Sequence, residues 1–179
     1  MHEDKTNVRN LESGEAITKM QELVKHNSMC LFVSNLTELP LDARPMGIQQ
    51  VDEMGNFWFL SAKDSTKNQE IRNDSRVQLF ISNVSDSEYL SLYGQASIHT
   101  DRNKIEELWT PLAKAWFTQG KDDPNITAIK VRPEEGFYWD TKNGKMLSMF
   151  KILASAVTGK PMNVGVQGEL EVNPSLSKF

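Results

Sequence analysis

The sequence lacks several features that would assign a protein to a class at once. Only one cysteine, Cys30, occurs in 179 residues, so no disulfide can form within the chain. It lies in the apolar run from Met29 to Val33, which predicts a buried strand residue rather than a nucleophile. No apolar run approaches the length of a membrane span, and no signal-peptide pattern is present. We therefore expect a cytoplasmic protein with no membrane partner.

Clustered positive charge is also missing. The formal net charge is -4, and lysine and arginine form no run. Proteins that bind nucleic acid usually carry a basic patch that attracts phosphates. We therefore expect no nucleic-acid partner.

Motifs for metal binding and nucleotide binding are absent as well. The sequence has no GxGxxG, no phosphate-loop lysine motif, no HExxH and no pair of cysteines. Its three histidines, His2, His26 and His99, lie far apart. We therefore expect no metal site.

The most informative stretch runs from Asn56 to Ile71. Its first part, Phe57 to Leu60, is typical of a buried strand, and Ser65 is a good N-cap for a short helix through Asn73. The first N–H groups of that helix would lack acceptors and would suit a phosphate. An ordinary capped helix with a solvated lysine gives the same pattern. This stretch alone leaves both interpretations open.

A second cation is predicted to lie nearby. Arg44 begins a strand that is joined to the Trp58 strand by the turn from Asp52 to Gly55. If the two strands pair across that turn, the start of one lies near the end of the other. Arg44 and Lys67 could then contact the same anion.

The remaining pattern predicts one domain with strands and three amphipathic helices. Apolar residues at helical spacing from Ala16 to Val24 predict a first helix, and Gly94 within a strand indicates a bulge or a close approach. A second apolar stripe follows the predicted cap Asp101 and continues to Trp116, against the barrel. The other predicted elements are strands at about 28–35, 77–84, 89–100, 126–131 and 136–140, and a helix over 146–157.

Four stretches of this sequence resemble the split-barrel flavoproteins related to pyridoxamine 5'-phosphate oxidase, within them the general stress protein branch. The stretches are Arg44-Pro45-Met46, Phe59 to Lys67, Tyr93 to Ala96, and Trp109 to Asp140. The resemblance implies a mainly β fold with flanking helices, a six-stranded antiparallel split barrel over residues 12–159. Residues 1–11 would be a flexible N-terminus and residues 160–179 a C-terminal tail.

The resemblance also implies an FMN site at the interface of a homodimer. Arg44, Ser65, Thr66 and Lys67 would hold the phosphate. The main chain around Pro45, Met46, Leu60 and Ser61 would face the flavin. Gln95 and Trp139 would come from the second subunit, and Trp116 would lie near the flavin edge that faces the dimer.

This site predicts an FMN-dependent oxidoreductase that acts on a small molecule. Flavin carries the redox chemistry, so no catalytic side chain is named. Vitamin B6 oxidases carry an arginine and a histidine where this chain has Lys145 and Leu147, so their substrate is not inferred. Two alternatives stay open. One is a non-catalytic flavin-binding or redox-sensing protein, and the other is a split barrel that binds deazaflavin or haem or is purely structural, with haem disfavoured by the lack of a well-placed histidine.

Overall fold

The computed structural model describes residue 9, residues 11–141 and residues 165–172. Within these residues the strands are β1 (Leu11–Glu12), β2 (Met29–Ser34), β3 (Asp42–Gly47), β4 (Gln50–Val51), β5 (Phe57–Ala62), β6 (Arg76–Asn83), β7 (Glu88–His99), β8 (Ile126–Thr141) and β9 (Gly165–Glu171). The helices are α1 (Ser13–His26), α2 (Thr66–Asn73) and α3 (Arg102–Leu108), followed by 3-10 turns at Pro111–Ala115 and Gly120–Asp122. None of these helices is long and apolar enough to cross a membrane.

Six strand positions close into an antiparallel barrel. Strand β2 pairs with β3 and with β6, β6 pairs with β7, β7 with β8, and β8 with β5. Strands β3 and β4 share one position, because β3 pairs with β2 whereas β4 pairs with β5 and completes the ring. The predicted six-stranded antiparallel barrel with flanking helices is confirmed.

The barrel interior is a single apolar core. Phe32 and Phe59 meet edge to face across it, with ring centroids 5.3 Å apart. Helix α1 covers one end with Met20 and Leu23, which confirms the helix predicted there. A second, smaller cluster forms between α3 and the barrel around Trp58. Apolar burial of this kind is the main favourable term in folding.

The helix predicted from Asp101 to Trp116 is shorter than expected. The cap is confirmed, because Asp101 Oδ1 accepts the N–H groups of Asn103 at 2.8 Å and Lys104 at 3.3 Å. The helix ends at Leu108, since Pro111 cannot donate a helical hydrogen bond and begins a 3-10 turn instead. Two residues of the predicted stripe, Leu112 and Trp116, are consequently 70% and 72% exposed. Their prediction as buried residues is wrong.

Strands also occupy segments that were predicted to be flexible. Strand β9 pairs with β8 in antiparallel fashion and with β1 in parallel, which places Leu11 opposite Leu170. Both of these leucines are buried. The prediction of a flexible N-terminus is therefore wrong at residue 11, and that of a tail is wrong over residues 165–171. The helix predicted over 146–157, Lys145 and Leu147 lie outside the described residues.

The two strands predicted at 126–131 and 136–140 are one continuous strand, β8. It follows β7 along its whole length, with a register shift between Tyr93 and Gly94. A Cβ at position 94 would lie 2.3 Å from the carbonyl oxygen of Arg132. The close approach predicted for Gly94 is confirmed.

Replacing Gly94 by alanine should destabilise the barrel, because backbone would have to move to admit the methyl group. We expect the free energy of unfolding in urea to fall by about 1–3 kcal/mol. The matched control is Gly14→Ala in the first turn of α1, where no atom lies within 4 Å of the added Cβ. Alanine favours a helix there, so stability should stay level or rise slightly. Equal losses in both variants would contradict this account.

An ion pair joins the end of α1 to the start of β7. His26 Nδ1 lies 2.8 Å from Glu88 Oε2, and Asn83 Nδ2 donates to the same oxygen at 2.9 Å. The hydrogen bond to Glu88, together with its negative charge, raises the pKa of His26 above its usual value of 6.5. Protonated His26 therefore stabilises the folded state.

This raised pKa predicts a pH dependence of stability. The contribution of His26 should be fully present below pH 6.5 and should be lost as the pH rises through the folded-state pKa. Urea unfolding of the wild type and of His26→Gln, in a pH series that brackets 6.5, should show a difference that shrinks with rising pH. Glu88→Gln should remove the same dependence. A difference that does not change with pH would refute the assignment.

Candidate functional site

The first turn of α2 forms the centre of the candidate site. Ser65 is the N-cap as predicted, and its Oγ accepts the N–H of Asn68 at 3.3 Å. The hydroxyl of Ser61, at the end of β5, lies 3.1 Å from that of Ser65. The N–H groups of Thr66 and Lys67 open the helix, where no intrahelical acceptor exists for them. Donors and the positive end of the helix dipole are thus directed to the same place.

Two buried side chains fix this turn against the barrel. Asn68 Nδ2 donates to Thr127 Oγ1 of β8 at 2.9 Å, and Thr127 Oγ1 donates to the carbonyl oxygen of Ser61 at 3.0 Å. Asn68 Oδ1 is buried and accepts no hydrogen bond from the described residues. Neither Asn68 nor Thr127 was predicted from the sequence. Asn68 could have been recognised as an amide in the first turn of a helix that follows a buried strand.

Arg44 reaches α2 from β3. Its Nη1 donates to Ser34 Oγ and to Glu70 Oε2, both at 2.9 Å, and its Nη2 lies 2.6 Å from Asp42 Oδ2. Ser34 in turn donates to Glu70 at 2.5 Å. The guanidinium is therefore held between the barrel and the helix. Ser34, Asp42 and Glu70 were not predicted as partners of Arg44. Asp42 precedes Arg44 by two residues, so its side chain lies on the same side of the strand.

Lys67 is the second cation. Burial lowers its pKa below the usual value of 10.5, the positive charge of Arg44 lowers it further, and Glu70 opposes the shift. No acceptor for its Nζ occurs among the described residues. The charges of Arg44 and Lys67 therefore act on each other, as their predicted proximity requires.

The route to that proximity differs from the predicted one. Arg44 belongs to β3, which pairs with β2, and only β4 pairs with the Trp58 strand across the turn from Asp52 to Gly55. The prediction that the Arg44 strand itself pairs across this turn is wrong. A break at residues 48 and 49 redirects the chain from one neighbour strand to the other.

These groups fit a phosphate. Arginine offers a planar fork of donors, lysine offers a point charge, and hydrogen bonds between charged groups are stronger than neutral ones. The half-buried Lys67 ammonium forms no ion pair with the described residues, and burial disfavours its charged form, which a bound anion would stabilise.

The residues predicted to face the flavin ring lie in the adjoining strands. Met46 is buried in the main core and Ser61 is buried at the end of β5, so of these two chiefly the main chain is available to a ligand. Leu60 is half-buried and packs on the second cluster, and Pro45 is exposed.

Gln95 and Trp139 lie on the outer side of β7 and β8, and Gln95 Oε1 accepts the hydroxyl of Ser75, two residues after the end of α2. Trp139 is opposite Tyr89 in the β7–β8 pair, and Gln95 lies six residues further along β7. At about 3.4 Å per residue this separates the two by about 20 Å, so they would contact different parts of any ligand or partner. Trp116 follows the 3-10 turn Pro111–Ala115 as its C-cap, and its side chain is exposed.

The outer face is the exposed side of β2, β6, β7 and β8. Its apolar residues are Met29, Leu31, Phe80, Tyr89, Phe137 and Trp139. Five of these residues are 37–48% exposed, and the Phe137 and Trp139 rings lie 4.6 Å apart. Leu31 pairs with Pro45 on one side and Phe80 on the other, so the face extends to the residue next to Arg44. Ser91 lies between Phe80 and Phe137 in the strand register, so the face is mainly but not wholly apolar. Exposed apolar patches commonly mark interaction sites.

An antiparallel barrel of this topology with flanking helices defines the class of split-barrel proteins. The family model described as pyridoxamine 5'-phosphate oxidase like matches residues 15–163. The chain belongs to this family.

Two characterised relatives show similarity in sequence. The chain is 25% identical to protein bli-3 of Neurospora crassa over 137 residues, which cover 72% of this chain and 66% of bli-3. It is 27% identical to general stress protein 26 of Bacillus subtilis over 78 residues, which cover 42% of this chain and 55% of that protein. The chain therefore spans less than two thirds of either relative.

Solved structures show the same fold. A protein assigned as general stress protein 26 from Jannaschia sp. CCS1 superposes with a TM-score of 0.74 and 22% identity, over 89% of this chain and 99% of that one. The general stress FMN/FAD binding protein of Xanthomonas citri gives a TM-score of 0.60 and 24% identity, over 70% of this chain and 87% of that one.

Proposed function

We propose that the protein binds FMN, with the phosphate at Arg44 and Lys67, and serves as an oxidoreductase for a small molecule. The observation that carries this proposal is the half-buried Lys67 ammonium, which forms no ion pair with the described residues and stands at a helix N-terminus whose first N–H groups have no intrahelical acceptor. Membership of the pyridoxamine 5'-phosphate oxidase like family supports a flavin, as does the FMN/FAD binding protein of the same fold.

Each part of the site has a role in this proposal. Arg44 and Lys67 bind the phosphate oxygens, and the hydroxyls of Ser65 and Thr66 add hydrogen bonds at the helix terminus. The main chain near Met46, Leu60 and Ser61 orients the ring system. The flavin supplies electron transfer when it is bound, and the protein provides binding, orientation and electrostatics.

The first test is the visible spectrum of the purified protein, followed by titration of stripped protein with FMN, riboflavin, FAD and a deazaflavin. Arg44→Ala and Lys67→Ala should each weaken FMN binding by about 1.5–3 kcal/mol, because each loses a charge-assisted contact. Riboflavin lacks the phosphate, so its affinity should not change. Lys114→Ala, on the 3-10 turn, is the control and should bind FMN as the wild type does.

Unchanged FMN affinity in both site variants would contradict the phosphate assignment. A wild-type protein that binds none of the four ligands would refute the proposed function. Stronger binding of deazaflavin than of FMN would assign the alternative cofactor. Reduction of the bound flavin by NAD(P)H and its reoxidation by candidate acceptors would separate an enzyme from a protein that only binds flavin.

We also propose that the outer face packs against a second copy of the chain. Leu31 and Phe80 expose apolar surface, the face adjoins the residue next to Arg44, and it carries Gln95 and Trp139. A second subunit seated there would add residues to the flavin site.

Sedimentation equilibrium should therefore show a dimer. Phe80→Glu places a charge in the centre of the outer face and should shift the protein to monomer, with weaker FMN binding. Val84→Glu is the matched control, since Val84 is 74% exposed in the turn between β6 and β7. A monomeric wild type, or a dimer that tolerates Phe80→Glu, would refute this interface.

A further inference from the structure

We propose that Asp42 competes with the bound phosphate for Arg44, whereas Glu70 holds Arg44 in place, so that Asp42 sets the anion selectivity of the site. This inference rests on the proposed phosphate site. It gives opposite roles to two carboxylates that contact the same guanidinium.

The hydrogen bonds of Arg44 leave little room for a ligand. A guanidinium has five N–H groups in a fixed plane. Nη1 donates to Ser34 and Glu70, and Nη2 donates to the carbonyl oxygen of Asp42 at 3.4 Å. The Asp42 carboxylate forms an ion pair with the same nitrogen, with Oδ2 2.6 Å from Nη2. A phosphate that contacts Arg44 through Nη2 must therefore displace the Asp42 side chain.

The two carboxylates differ in how easily they can leave. The Glu70 side chain is 15% exposed and also accepts the hydroxyl of Ser34, whereas the Asp42 side chain is 60% exposed. Removing a partner from a mostly buried pair leaves an uncompensated charge, which is costly. An exposed pair contributes little to stability. Asp42 is therefore the displaceable partner.

Displacement depends on the charge of the incoming anion. A phosphate monoester brings up to two negative charges and can contact Lys67 and the α2 terminus together with Arg44, so it replaces Asp42 with a net gain. A singly charged anion such as chloride or acetate makes fewer of these contacts and competes poorly with Asp42. The carboxylate thus excludes weak anions from the site.

The experiment compares FMN binding by Asp42→Asn and by the wild type, both stripped of ligand. We expect FMN to bind about twofold to fivefold tighter, the range expected for loss of one exposed ion pair. We also expect chloride to become a better competitor against FMN in this variant. Asp64→Asn is the matched control, because Asp64 lies in the turn before Ser65 and its Oδ1 accepts from Asn125 rather than from Arg44.

A double-mutant cycle separates direct competition from general electrostatics. In an Arg44→Ala background, Asp42→Asn should give no gain in FMN affinity, because the contested donor is gone. Glu70→Gln should not reproduce the gain of Asp42→Asn, since it releases the anchor of Arg44.

Three outcomes would overturn the inference. One is FMN affinity in Asp42→Asn that equals or falls below that of the wild type, another is the same gain in Asp64→Asn, and the third is a gain that persists without Arg44. The first of these, with a wild type that binds FMN, would leave the proposed function intact. A wild type that does not bind FMN would refute both.

Discussion

The attachment of α2 to the barrel is the constraint on which the candidate site depends. Asn68 on the helix, Thr127 on β8 and the main chain of Ser61 on β5 form a buried chain of hydrogen bonds. Buried polar groups of this kind specify one arrangement, because breaking any link leaves an unsatisfied group. The helix terminus is therefore presented by the rigid barrel rather than by a loop. Lys67 and the hydroxyl of Ser65 acquire fixed positions as a result.

The electrostatics of the site follow from this attachment. Lys67 stands on this fixed helix, and Arg44 is held by Ser34 and Glu70. Burial lowers the pKa of Lys67 and the positive charge of Arg44 lowers it further, so the folded protein holds a partly desolvated ammonium that a bound anion would stabilise. Structural cores commonly support such local costs at functional sites.

Local features of the sequence were predicted well, whereas features that depend on distant pairing were not. The Ser65 cap and the Asp101 cap depend on residues within one turn, so both were found. Pro111 is a helix-breaking residue, but the apolar spacing that continues to Trp116 predicted a longer helix than α3. Strand β9 contains two glycines, Gly165 and Gly168, so its partners β8 and β1 determine its conformation rather than its own pattern. The network around Arg44 joins three separate elements, so no single stretch could indicate it.

The pairing of β1 with β9 has a consequence for the order of folding. It brings residues 11 and 170 together, the longest separation in sequence of any strand pair described here. Closing so long a loop costs entropy, and β9 needs the edge of β8 as its template. The barrel can therefore form first, and both ends of the described chain then join it as one late unit. Hydrogen exchange at β1 and β9 should accordingly open as a single cooperative step, separate from the ring of six strands.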